Sequence, residues 1–145
     1  MESLNNKSTI VFAELINRLN EGYVKIVNDP YMPLTVENIG GNIVTPWGLA
    51  SLYSICHYYE QNGDLMQDPE MCFLAIDNRG TFKTDYKLIK VIPYLYRQAS
   101  LGIYEESAIF ENAILTKFRR DKQKAHTAFA NTWMMNIREQ GFLVK

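Results

Sequence analysis

The sequence predicts an α+β fold: a mainly antiparallel sheet of about five strands, with an N-terminal helix and a long C-terminal helix packed on one face. Three observations predict it. Apolar residues recur at helical spacing near both ends of the chain, through Ile10, Val11, Leu15, Ile16 and Leu19 at one and Leu115, Phe118, Ala125, Phe129, Trp133 and Ile137 at the other. Between them lie short runs of β-branched and aromatic residues separated by Gly, Pro, Asn and Asp. The chain has 145 residues, 47% of them hydrophobic, which fits one domain, 1–145, with a real core and is too apolar for disorder.

Ser8 or Thr9 can cap the first helix, which then runs to about Asn20 and closes at Gly22. Tyr23–Val27 reads as a short extended segment. Asn28-Asp29-Pro30-Tyr31-Met32-Pro33 forces a turn, because each proline restricts itself and the residue before it. Leu34, Val36 and Ile39 alternate with polar residues as a first strand that ends at Gly40-Gly41-Asn42. Leu49–Tyr59 and Met71–Ile76 are apolar on both alternating faces, so they are expected to pair antiparallel in mid-sheet. Asn62-Gly63 is the strongest hairpin signal between them, yet a two-residue turn there places Pro69 inside the ladder, where it cannot donate. A longer loop from Glu60 to Pro69 is therefore expected. Asn78-Arg79-Gly80 marks the next turn, followed by an extended run from Thr84 to Tyr96 that Pro93 bends or places at an edge. Leu101–Glu105 reads as the last strand. From Ala108 the pattern turns helical, and Gly141 ends it. No repeat, low-complexity tract or linker suggests a second module.

Composition narrows the function classes. No apolar run reaches the roughly 18 residues of a membrane span, and the first residues are polar without a signal-peptide layout, so a soluble cytoplasmic protein is expected. Cys56 and Cys72 flank the 60–70 segment outside any Cys-x-x-Cys spacing and are expected as free, buried thiols. Residues 1–114 carry eight Lys/Arg against fourteen Asp/Glu, while 115–145 carry seven against two. That asymmetry suits docking of the C-terminal helix on an acidic body, a solvated basic face, or a nucleic-acid surface through Lys117, Arg119, Arg120, Lys122 and Lys124.

The candidate site is the segment around the predicted loop: His57, Glu60, Asn62, Asp64, Asp68 and Glu70. Carboxylates at this density suit partner binding. They also suit a divalent-metal hydrolase or nuclease with Asp64, Asp68 and Glu70 as ligands and His57 as base. The spacing fits no calcium loop, since Leu65 and Met66 stand where ligands belong. His57, on an inner strand, reads as a hydrogen-bonded core histidine, and His126 as an exposed one. No phosphate loop, nucleophile elbow or cofactor-binding pattern is found. Strand tyrosines 58, 59, 94, 96 and 104 suit core packing and, secondarily, base stacking.

Three stretches carry a family likeness: Asp29-Pro30-Tyr31-Met32-Pro33-Leu34-Thr35-Val36-Glu37, the run from His57 to Met71, and Tyr96-Arg97-Gln98 with Gly102-Ile103-Tyr104. Over residues 29–105 the chain resembles an uncharacterised domain family met in bacterial mobile elements and phages. The resemblance implies plasmid, phage or transposon biology and assigns no residue a role. The expectation is a non-enzymatic interaction module that binds a protein partner through the 60–70 segment.

Overall fold

The computed structural model describes residues 1–145 as two helices and eight strands. Helix α1 (Asn6–Ile16) is followed by β1 (Tyr23–Ile26), β2 (Leu34–Thr45), β3 (Gly48–Gln61), β4 (Asp64–Asp77) and β5 (Ile89–Gln98). Then come β6 (Ile103–Glu106), β7 (Ala108–Glu111), β8 (Ile114–Phe118) and helix α2 (Arg120–Glu139). The α+β class holds, with eight strands where about five are predicted: β1 joins the sheet, and β7 and β8 form a hairpin out of residues expected to be helical. No helix is long and apolar enough to cross a membrane.

α1 begins earlier than the predicted cap. Asn5 Oδ1 accepts from the Ser8 amide at 2.9 Å, while Thr9 Oγ1 donates to Asn5 O at 2.8 Å and Ser8 Oγ to Asn131 O of α2 at 3.2 Å. Val11, Phe12, Leu15 and Ile16 are buried, whereas Ile10 lies outside the buried stripe.

The sheet order is β6-β5-β4-β3-β2-β8-β7, with β1 pairing the other part of β2's outer edge. All pairs are antiparallel except β2–β8, which meet in parallel at Val44 and Ile114. β2 does not stop at Gly40-Gly41 but continues to Thr45 through two register irregularities. At Gly40 an added Cβ would lie 3.2 Å from Leu52 Cδ1, so a small residue lets the irregular strand pass close to β3.

The expected long loop is absent. β3 and β4 join through the two-residue turn Asn62-Gly63, both at positive φ (54° and 84°), closed by the Gln61–Asp64 pair. Pro69 does not obstruct this ladder because a bulge removes it from the count: Cys56 faces Glu70 and Tyr58 faces Gln67, leaving Asp68-Pro69 opposite His57. β5 begins at Ile89 after a single 3-10 turn at Tyr86–Leu88. At Pro93 it has only β4 beside it in the sheet, since β6 pairs from Leu95 onward, which is the edge setting expected for a proline.

The two faces of the sheet are covered differently. α1 and α2 bury one face in a core of 20 residues that includes Phe12, Leu34, Ile55, Met71, Phe73, Val91, Met134 and Ile137. Across the other face the β7–β8 hairpin bridges β5 to β2: the Ser107 amide donates to Tyr94 O at 2.8 Å, and the Val44 amide to Ala113 O at 2.9 Å. Beneath it lies a smaller core with Ile43, Leu74, Ile92, Tyr94 and Ala108. The turn of this hairpin is Asn112-Ala113, again at positive φ (52° and 61°). The buried ridge of α2 is therefore Gln123, His126, Thr127, Ala130, Trp133, Met134 and Ile137, leaving Ala125 and Phe129 exposed. Gly141, at φ 88°, follows its last turn as expected.

Candidate functional site

The six predicted site residues are spread rather than gathered. Strand alternation puts His57 on the helix-covered face, where Nδ1 donates to Met32 O at 3.0 Å and the ring packs against Trp133 and Phe142 (centroids 5.8 and 5.4 Å). Burial holds its imidazole below the usual histidine range, with the Met32 and Pro33 carbonyls pulling the other way. It is a core histidine, as its strand position predicts. Asp68, on the bulge, accepts from Gln98 Nε2 at 3.0 Å, and Gln98 Oε1 accepts from Tyr96 Oη at 2.7 Å. Glu70 turns to the opposite face and accepts from Ser54 Oγ at 2.6 Å. Glu60, Asn62 and Asp64 are exposed around the hairpin tip. The carboxylates thus splay in three directions, and no three His, Cys, Asp or Glu side chains gather as a set able to hold a metal ion.

What the fold does build at this end is a groove of about 580 Å³ between β1, β2 and the β3–β4 hairpin. The register explains it. Tyr23 lies across from Glu37 and Lys25 from Thr35, and the next two strands bring Tyr58, Glu60 and Leu65 alongside. Tyr59, Met32 and Pro33 complete the lining. Of the six predicted residues, Glu60 alone lines the groove. Tyr23, Met32 and Leu65 are exposed, with Tyr31 and Val27 near in sequence also exposed, so the rim is apolar and aromatic.

Burial, then Cys56 and Glu70, push the Tyr58 phenol above the usual tyrosine range, with Glu37 adding to the rise. Burial, then Glu70, push the thiols of Cys56 and Cys72 up to about 12. Both cysteines are free and buried, as expected. Beyond Glu70, Tyr104 Oη donates to Glu106 Oε1 at 2.6 Å, and the Arg97 guanidinium sits over the Tyr104 ring at 5.8 Å.

The family model described as Domain of unknown function (DUF6908) matches residues 7–143. The chain belongs to that family. The DUF6908 match takes in both helices, which the resemblance read from the sequence had left outside, as well as every residue of the groove. No curated protein and no solved structure matches the chain.

Within the DUF6908 span lies one polar cluster that the sequence reading misses. His126 is buried rather than exposed: its Nδ1 is 2.9 Å from Ser107 Oγ, and its Nε2 is 3.5 Å from Glu105 Oε1. The ring stacks on Tyr96 at 6.1 Å. Burial holds its imidazole below the usual range, against the raising effect of Glu105. The order serine, histidine, carboxylate imitates a hydrolytic triad, but Ser107 is 0% exposed, so no scissile carbonyl can reach its hydroxyl. The cluster fastens the β6–β7 corner to α2. The signal for it was present: His126 falls in helical step with Ala130, Trp133 and Ile137.

The basic residues do not all lie on one helix, as the helical pattern expected from Ala108 onward would place them. Lys117 is on β8, Arg119 is the N-cap residue, and Arg120, Lys122 and Lys124 occupy the first turns of α2. Lys122 Nζ lies 3.6 Å from Glu105 Oε2. The other four are exposed, as is Phe118 at 40%, which lines a pocket with Arg120, Lys124, Glu2 and Asp121.

Proposed function

We propose that this chain is a non-enzymatic recognition module that takes a protein partner along the β3–β4 hairpin and into the groove at its base. The observation that carries the reading is the groove itself: it has the size of a binding cleft, an apolar and tyrosine-rich rim, and carboxylates placed apart from one another rather than paired for chemistry. Tyrosine suits such a surface because it offers large rigid contact area and a polar tip at low cost in conformational entropy. A photo-crosslinking residue at Leu65 tests it. It is expected to give one dominant protein adduct in cells of the source organism, while the same residue at Leu101, exposed elsewhere, gives none. Equal labelling from both positions contradicts the reading.

The mobile-element setting implied by the resemblance belongs to the same proposal. It predicts that genes for family members lie beside phage, plasmid or transposon genes; a scatter among housekeeping genes contradicts it.

One observation favours a second reading, nucleic-acid binding: exposed Phe118 lines one pocket with Arg120 and Lys124, alongside Glu2 and Asp121, at the basic start of α2. It predicts a gel shift with single-stranded probes that weakens steeply with salt. A shift unchanged by charge reversal at Arg119 and Arg120 removes it.

A further inference from the structure

We infer that the groove takes an extended segment of the partner that presents a lysine or arginine side chain, seated between the tyrosines and the carboxylates. The inference rests on the recognition reading above and names the chemistry of its occupant. The groove's walls carry Glu37 and Glu60, and both charges are free: the ion pairs of the molecule are Arg79–Asp77, Lys122–Glu105 and His126–Glu105. Lys25, the one cation in the lining, is therefore paired with neither. From β3 through the end of β4 the chain carries Glu60, Asp64, Asp68, Glu70 and Asp77 with no lysine or arginine, so nothing on the hairpin neutralises the groove.

The tyrosines supply the second half of the argument. Tyr23, Tyr58 and Tyr59 border the same space, and an aromatic face attracts a cation through its quadrupole, most strongly where water is partly excluded. Glu70, which faces Cys56 in the β3–β4 ladder, adds a further carboxylate to the same pair of strands outside the groove's lining. A cationic side chain on an extended backbone meets the lining groups at once: its aliphatic stem lies along Met32 and Leu65, and its charge reaches Glu37 and Glu60. An acidic segment would meet two unpaired carboxylates and one lysine.

Selection of a short randomised peptide library on the intact protein, with each enriched peptide then measured against the L65R variant, tests this. Enriched peptides are expected to carry at least one Lys or Arg. Replacing that residue with Gln, or using the E37Q/E60Q protein, is expected to weaken binding about tenfold or more. Both positions are exposed and the replacements isosteric, so unchanged circular dichroism and melting confirm that the variant folds. Enrichment of neutral or acidic peptides, or affinity unchanged by E37Q/E60Q, overturns the cation preference and leaves the groove reading standing. Enriched peptides that bind L65R as well as the parent protein overturn both.

Discussion

Ser54 donates its hydroxyl to Glu70 at 2.6 Å across the β3–β4 ladder, and this bond fixes the carboxylate beside Cys56, the residue Glu70 faces in the register. Ser54 is buried and Glu70 is half-buried, so removing the donor leaves an acceptor that water reaches poorly. Ser54→Ala is expected to cost about 1–2 kcal/mol in urea unfolding, and Glu70→Gln, which keeps an acceptor, less. A larger loss from Glu70→Gln contradicts this ordering.

The Asn62-Gly63 turn makes a cleaner backbone test. Gly63 sits at φ 84° with nothing within 4 Å of an added Cβ, so Gly63→Ala is penalised through its backbone alone, by about 1 kcal/mol. Gly80→Ala meets equally open space without a positive φ and is expected to be near neutral. Equal effects of the two on the melting temperature would mean that the hairpin does not form as described.

Two histidines give the fold a pH dependence of definite sign. Burial, the largest cause in each, lowers the pKa of His57 and of His126 from 6.5 in the folded protein, so below that value the unfolded chain binds protons that the native state refuses. Stability is expected to be level above about pH 6.5 and to fall as the solution is acidified below it. His126→Gln should flatten part of that slope in melting curves. Stability that rises on acidification through this window contradicts the buried neutral state of both rings.

The thiols should be silent until the protein opens. With Cys56 and Cys72 buried and pushed up to about 12, a thiol-specific disulfide reagent at mildly alkaline pH is expected to label neither in native protein and both in denaturant. Rapid native labelling of either would place it outside the core.

Much of the frame was legible from local pattern, and the misses share a cause. The paired central strands, the short β1 and the closing role of Gly141 follow from alternation and turn chemistry that act within a few residues. Asn62-Gly63 gave the correct turn signal; Pro69 weighed against it because a bulge, which depends on how β4 meets both neighbours, is invisible in one strand's sequence. Leu115 and Phe118 suit a helix or a short strand equally, and only the docking of the β7–β8 hairpin between β5 and β2 decides between them. The groove was the least legible part. Tyr23, Thr35, Tyr58 and Leu65 meet because three successive pairings register them, and no spacing in the chain announces that. Carboxylate density marks the end of the molecule where the groove lies, and Glu60 within its lining, but not the tyrosines that form the walls.

The recognition reading is tested most directly by amide NMR of the labelled protein titrated with the partner captured at Leu65. The largest shifts are expected at Thr35, Tyr58, Glu60 and Leu65, with the exposed stretch from Lys117 to Lys124 unmoved. Shifts confined to that basic stretch, or to the exposed face of α2 around Phe129, would contradict it.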